Sequence, residues 1–480
     1  MGKMEVEFVC DLKAKPTPLK HFWEYCVGSD HAPIALRADC RQQLKRCHDE
    51  LGFARVRFHG LLSDDMGTLV GDENELIYSF FNADQIFDFL IAIGMHPFVE
   101  LSFMPTALAS GRKTVFHYKG NVTPPKDYSK WSDLITRLVR HCVDRYGIDE
   151  LKQWDFEVWN EPNLKSFWAG TQRDYFKLYR HTAEAVKNVD SALPVGGPAT
   201  ARNEWIEQFR DFCERKKVAV DFISTHHYPT DAFGKPGDDT ETQLSNSRRG
   251  ALRDQALDAR RRAANLPLYY TEWNGSSNPF DPLHDQPYAA AFVIKSIMDV
   301  AGVVDAYSFW TFSDIFEENY FSSAPFHGGF GLLNIHGVPK PAYRAFQLLH
   351  RLGTEQLLVD GLHETVNIWA VRGQNRLTVL ISNHALPGHS IEDERISMQL
   401  LNASEPRACW IERIDQDHAN ADRTWRDIGA PEYLDSEQVA DLMAASEMVR
   451  KSQSFSLAGS KISFEVALPP QGIAAIQFEW

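Results

Sequence analysis

Two carboxylates stand where this chain could do chemistry: Glu161, in the run WDFEVWNEPN, and Glu272, in LYYTEWN. Each closes an apolar run rich in β-branched and aromatic residues, the composition of a buried strand. Paired carboxylates facing one another across a cleft are what cleavage of a glycosidic bond requires. One protonates the departing oxygen while the other attacks or supports the anomeric carbon. Either glutamate alone reads as a solvated surface residue. Two of them at the ends of two strands of one fold point to catalysis, and Pro162 restricts the backbone at Glu161 just before the chain turns away.

The elements that would position them are legible as alternating strands and helices between about residues 20 and 350. The candidate strands are FWEYCVG (22–28), ARVRFHG (54–60), HPFVELSF (96–103), WDFEVWNE (154–161), LPVGGPA (193–199), DFISTHHY (221–228), PLYYTEW (267–273) and DAYSFWTF (305–312). Between them lie amphipathic stretches such as RADCRQQLKRCHDELG, NADQIFDFLIAIG, WSDLITRLVRHCVDRYG and TQRDYFKLYRHTAEAVKNV, with capping residues near their starts and glycine often after their ends. Eight such units predict a (β/α)₈ TIM barrel over residues 16–350. A doubly wound sheet would need a glycine-rich phosphate turn after its first strand, and VGSDHAPIA is a poor version of one.

Barrel enzymes carry their chemistry at the C-terminal ends of the strands. Here those ends hold His59 (second strand), Asn160 and Glu161 (fourth), His226 and Tyr228 (sixth), Glu272 (seventh) and Trp310 (eighth). Beyond residue 350 the texture becomes short alternating strands, which with the N-terminal MEVEFVC predict an accessory antiparallel β-sandwich from residues 1–15 and 351–480. The segment 234–247 reads as a long polar loop, and the loop 229–247 with the segment 312–327 is expected to wall off a pocket.

Composition sets outer limits. A 480-residue chain that is 44% hydrophobic can bury a sizeable core, and a net charge of -15 disfavours nucleic acid and anionic membranes as partners. The expected partner is a small molecule. The start MGKMEVEFVCDLKAK fits neither a secretory signal nor a membrane span, which implies a cytoplasmic enzyme. Seven scattered cysteines without a C-x-x-C pair argue against a disulfide framework or a zinc site, and no cofactor is expected. Whether the chain is a homo-oligomer is not readable at this level.

VRFHG, FEVWNEPNLKSFW, THHYPTD, YYTEWN, YSFWTFSDIFEE and FHGGFGLLN together resemble glycoside hydrolase family 39. The resemblance implies a retaining, exo-acting β-xylosidase of xylan degradation, releasing D-xylose from xylobiose, short xylo-oligosaccharides and aryl β-D-xylosides. On that pattern Glu161 is the acid/base and Glu272 the nucleophile. Asn160 binds the sugar 2-hydroxyl, Tyr228 orients Glu272, and Trp310 forms a platform under the pyranose. His59 and His226 resemble sugar-binding histidines, Glu317 and Glu318 the pair that accepts from distal hydroxyls, and Phe167 lines the aglycone side. Arg55, Arg57 and Glu157, on barrel strands, read as structural, with an ion pair beneath the site. The competing readings are an α-L-iduronidase, which needs a cation for the uronate, a β-glucosidase, which needs room at C5, and a carbohydrate-binding protein with inert carboxylates.

Overall fold

A computed structural model describes residues 6–72, 75–230, 237–318 and 320–480. Eight strands close into a barrel: Val27–His31, Arg55–His59, His96–Leu101, Asp155–Val158, Val195–Thr200, Phe222–His227, Leu268–Trp273 and Ala306–Phe309. All neighbours run parallel, and the eighth pairs back onto the first through Phe309 and Val27. The chain therefore folds as the TIM barrel its alternation predicts. The first strand lies downstream of the expected FWEYCVG. Phe22–Glu24 instead forms a 3₁₀ turn with Phe22 and Trp23 buried, and the strand is the polar but wholly buried VGSDH.

The helices are set by local signals. Asp127 caps Tyr128–Tyr146 by accepting from the Ser129 amide, and a reciprocal capping box of Thr171 and Asp174 starts Gln172–Val189. Gly52, at φ 77°, supplies the left-handed residue that ends Ala38–Leu51. Trp131, Leu134, Ile135, Leu138, Val139 and Cys142 place the apolar stripe of the third long helix against the barrel. In the polar stretch 234–247 the expected loop needs a correction. Asp239 accepts from the Thr242 amide and starts a helix over Thr240–Ser245, while residues 231–236 lie outside the described residues.

The N-terminal strand Val6–Asp11 and the segments after residue 354 form two further sheets, packed through a core that includes Phe8, Ile396, Met398, Phe464, Val379, Ile476 and Phe478. Their pairing is antiparallel except that Val6–Asp11 runs parallel to Glu394–Leu401. Two helices, Ala421–Asp427 and Ser436–Ala445, interrupt these strands. Trp425 and Leu442 on them pack against Phe326 and Val338, so this insertion buttresses the segment that follows the eighth barrel strand. Under that segment Lys340, fully buried, pairs with Asp285 at 2.6 Å and Asp314 at 2.5 Å. Among the described residues no helix is long and apolar enough to cross a membrane.

Candidate active site

The second barrel strand projects Arg57 and His59, two residues apart, to the same inner face. Arg57 has no exposed surface, and a buried guanidinium persists only when its donors are met by charge. It donates to Glu157 (2.6 Å), to Glu272 Oε1 (2.7 Å) and to Asn160 Oδ1 (3.0 Å), and lies 2.7 Å from Glu100. Arg57 is thus more than the structural ion pair expected of it, because it holds the functional carboxylate directly. Arg55, at the other end of the strand, does stay structural: it pairs with Asp155 at 3.2 Å and stacks over Tyr25.

Glu161 sits on a contorted turn. Trp159 (φ 72°) and Glu161 (φ 42°) both adopt left-handed backbone, which is costly for residues with a Cβ and characteristic of functional sites. The Glu161 amide donates to the Ala199 carbonyl at 2.8 Å, which fixes the turn to the fifth strand. Glu272 ends the seventh strand, where Tyr228 donates to its Oε2 at 3.1 Å. One carboxylate oxygen each from Glu161 and Glu272 and one ring nitrogen of His226 all lie within 4.8 Å of one another.

Hydrogen-bond direction assigns the proton on Glu161. Thr271 has a single hydroxyl proton and gives it to Glu157 at 2.8 Å. His226 Nε2, 3.1 Å from the same hydroxyl, must therefore be the donor there. Burial pushes the His226 imidazole down to about 4, so at neutral pH it carries one proton and its Nδ1 is an acceptor. The 3.0 Å contact between Nδ1 and Glu161 Oε1 is then a hydrogen bond donated by a protonated carboxyl. Burial independently drives Glu161 up to about 7, against the opposing charges of His59, Arg57 and Arg202.

The two carboxylates open onto a cavity of about 280 Å³ also lined by His59, Asn160, Phe167, Tyr228, Trp310 and Glu318. Burial raises the Glu318 carboxyl well above its ordinary range, reinforced by Asp30 and Glu272, so it presents both a donor and an acceptor. Trp310 can stand on the floor because Gly28 faces it: a Cβ there would come within 2.5 Å of the indole. Phe116, Leu164, Ser277, Pro279 and Phe330 complete the wall. None of these five carries a periodic signal, since they come from loops, although Leu164 and Phe330 lie within FEVWNEPNLKSFW and FHGGFGLLN.

Two expected sugar ligands lie elsewhere. His226 has no exposed surface and both its ring nitrogens are engaged by Glu161 and Thr271, so it stands behind the acid rather than on the wall. Glu317 turns away from the cavity and meets His31 Nδ1 at 2.5 Å, while its amide donates to Asp30. His227 points outward and bonds the Tyr307 hydroxyl, and Trp168 is packed between Trp159 and Tyr175.

A model of the glycosyl hydrolases family 39 matches residues 6–462. The chain belongs to glycoside hydrolase family 39. As a family 39 member it is an O-glycosyl hydrolase. A β-xylosidase of Caldicellulosiruptor saccharolyticus is 50% identical over 464 residues, covering 95% of both chains. A β-xylosidase of Geobacillus stearothermophilus is 38% identical, covering 96% of this chain and 93% of its own. The crystal structure of a monomeric β-xylosidase from Caulobacter crescentus CB15 superposes with a TM-score of 0.87 at 31% identity over 99% of both chains. The family 39 relationship thus spans the barrel and the accessory strands together.

Proposed function

We propose that the protein is a retaining, exo-acting β-xylosidase that removes D-xylose from the non-reducing end of short xylo-oligosaccharides. The observation that carries the reading is the carboxylate pair. Oxygens within 4.8 Å of each other match the roughly 5 Å separation of retaining glycosidases and leave no room for the water that inverting enzymes place between carboxyls roughly 6.5–9.5 Å apart. The β-xylosidases of C. saccharolyticus and G. stearothermophilus support the sugar assignment.

In the first step Glu272 attacks the anomeric carbon as Glu161 gives its proton to the leaving oxygen. Arg57 and Tyr228 aim the nucleophile. Esterified Glu272 carries no charge, so the pKa of Glu161 falls and it can take a proton from water in the second step. Asn160, held by Arg57, meets the 2-hydroxyl, where hydrogen bonding strengthens in the oxocarbenium-like state. Trp310 packs under the ring, with Glu318 and Phe330 on the same wall, and a cavity of about 280 Å³ favours a single terminal sugar over a chain lying through a groove.

Among the described residues no lysine or arginine lines this cavity, so the described wall offers a uronate neither of these cations, which disfavours the α-L-iduronidase reading. Rates on 4-nitrophenyl β-D-xyloside, on the corresponding α-L-iduronide and on xylobiose decide the matter. We expect turnover of the xyloside and release of D-xylose from xylobiose. Hydrolysis of the iduronide with none of the xyloside would sink the reading, and sugar binding without any hydrolysis would favour an inert binding protein.

A further inference from the structure

A second cavity, of about 350 Å³, lies beside the first, and Tyr228 lines both. Its other walls include Arg202 and Asn203 from the loop after the fifth strand, His227 from the sixth, and Asp254, Asp258 and Arg262 on one face of helix Ala251–Ala263. Asn203 and His227 are buried; the Gln255 side chain, which also lines the cavity, meets the histidine, whereas Asn203 Oδ1 has no hydrogen-bond partner among the described residues. An unpartnered polar atom at this depth is uncommon, and a ligand's hydroxyl would satisfy it.

Three of the charges are neutralised locally. Arg262 pairs with Asp258, and Asp254 meets Arg248 at 2.6 Å. Arg202 is different: it is exposed and, among the described residues, makes neither an ion pair nor a hydrogen bond. Its backbone is nonetheless fixed in an unfavourable form, with φ of 63° at Arg202, 58° at Asn203 and 62° at Trp205. A reciprocal amide clamp locks this loop to the turn carrying Glu161. Asn163 Oδ1 accepts from the Ala201 amide at 2.9 Å, and Asn163 Nδ2 donates to the Ala201 carbonyl at 3.0 Å.

We infer that this side cavity is a subsite for a carboxylate-bearing branch on the leaving-group sugar, with Arg202 as the group that recognises the carboxylate. The inference rests on the β-xylosidase reading. Glu161 must face the glycosidic oxygen, and the groups that fit the terminal xylose attacked by Glu272, namely Trp310, His59 and Glu318, come from the second and eighth strands or the loop after the eighth. The side cavity belongs to the fifth and sixth strands, next to the acid, which is where a leaving group extends. A guanidinium carried on a fixed backbone at that rim matches a uronic acid, and Asn203 offers a hydrogen bond to its hydroxyls.

The test compares kcat/KM for xylobiose with kcat/KM for xylobiose carrying a glucuronosyl branch on its reducing-end xylose. The proteins are the wild type, Arg202→Asn, which tolerates a left-handed backbone, and Arg202→Glu. Both substrates depend on the same ionisations of the free enzyme, so the ratio is insensitive to the field that Arg202 exerts on Glu161. The wild type is expected to cleave both. The branched-to-plain ratio should fall about tenfold in Arg202→Asn, as for the loss of one charge-assisted hydrogen bond, and further in Arg202→Glu. A ratio unchanged in both variants, or a wild type that cleaves only plain xylobiose, overturns the inference and leaves the β-xylosidase reading intact. Failure of the wild type on plain xylobiose and on the aryl xyloside would bring down both.

Discussion

Glu272→Ala is expected to lose at least about ten-thousand-fold in kcat/KM on every xyloside, aryl and oligomeric alike, because no covalent intermediate can form without its carboxylate. The loss should not depend on the leaving group, since the nucleophile is needed however easily the aglycone departs. It should also not come from unfolding. Removing Glu272 takes one carboxylate from Arg57, which keeps Glu157 and Glu100 at 2.6 and 2.7 Å. Added azide should restore turnover and yield the α-xylosyl azide. Loss confined to poor leaving groups would give Glu272 the acid's role instead.

Glu161→Ala should show the opposite pattern. On xylobiose, whose leaving group needs a proton, kcat/KM is expected to fall on the order of a hundred- to ten-thousand-fold, the usual worth of general acid catalysis. On dinitrophenyl β-D-xyloside, which needs none, kcat/KM should change by less than about tenfold, while kcat falls because water attacks the intermediate without its base. The pH profile carries the same signature. Glu161 works in its first step as the protonated form, with a pKa pushed up by burial to about 7, so kcat/KM for xylobiose should decline as pH rises through that value. The variant should lose that alkaline limb. Equal losses on both substrates would count against Glu161 as the acid.

Much of this was legible before any coordinates. A strand shows its direction and its end, so Glu161, Glu272, Asn160, Tyr228, His59 and Trp310 can be assigned to the barrel mouth from periodicity alone. What periodicity misses is the partner that a side chain chooses. His226 and Glu161 both close strands, but only the Thr271 hydroxyl, committed to Glu157, shows that the histidine serves the acid. Glu317 and Glu318 are adjacent in a loop, where no rule decides which turns inward. Glu318 faces the cavity because His31 and Asp30 claim the side chain and amide of Glu317.

Two other misses have different causes. The first strand lies downstream of its expected place because an apolar run, FWEYCVG, outweighs VGSDH in any hydrophobicity reading. In VGSDH, Asp30 and His31 are buried where they hold Glu317 away from the cavity. The helices at 421–427 and 436–445 did leave a signal, Asn420 at one start and an Asp435–Gln438 capping box at the other, within a region whose strands dominate.

The anomeric form of the first xylose released from xylobiose, followed by proton NMR before mutarotation sets in, bears most directly on the paired-carboxylate mechanism. Two displacements at one carbon preserve configuration, so β-D-xylose should appear first and the α-anomer only as it equilibrates. If α-D-xylose came first, a single displacement by water would be at work, and Glu272 could not be the nucleophile.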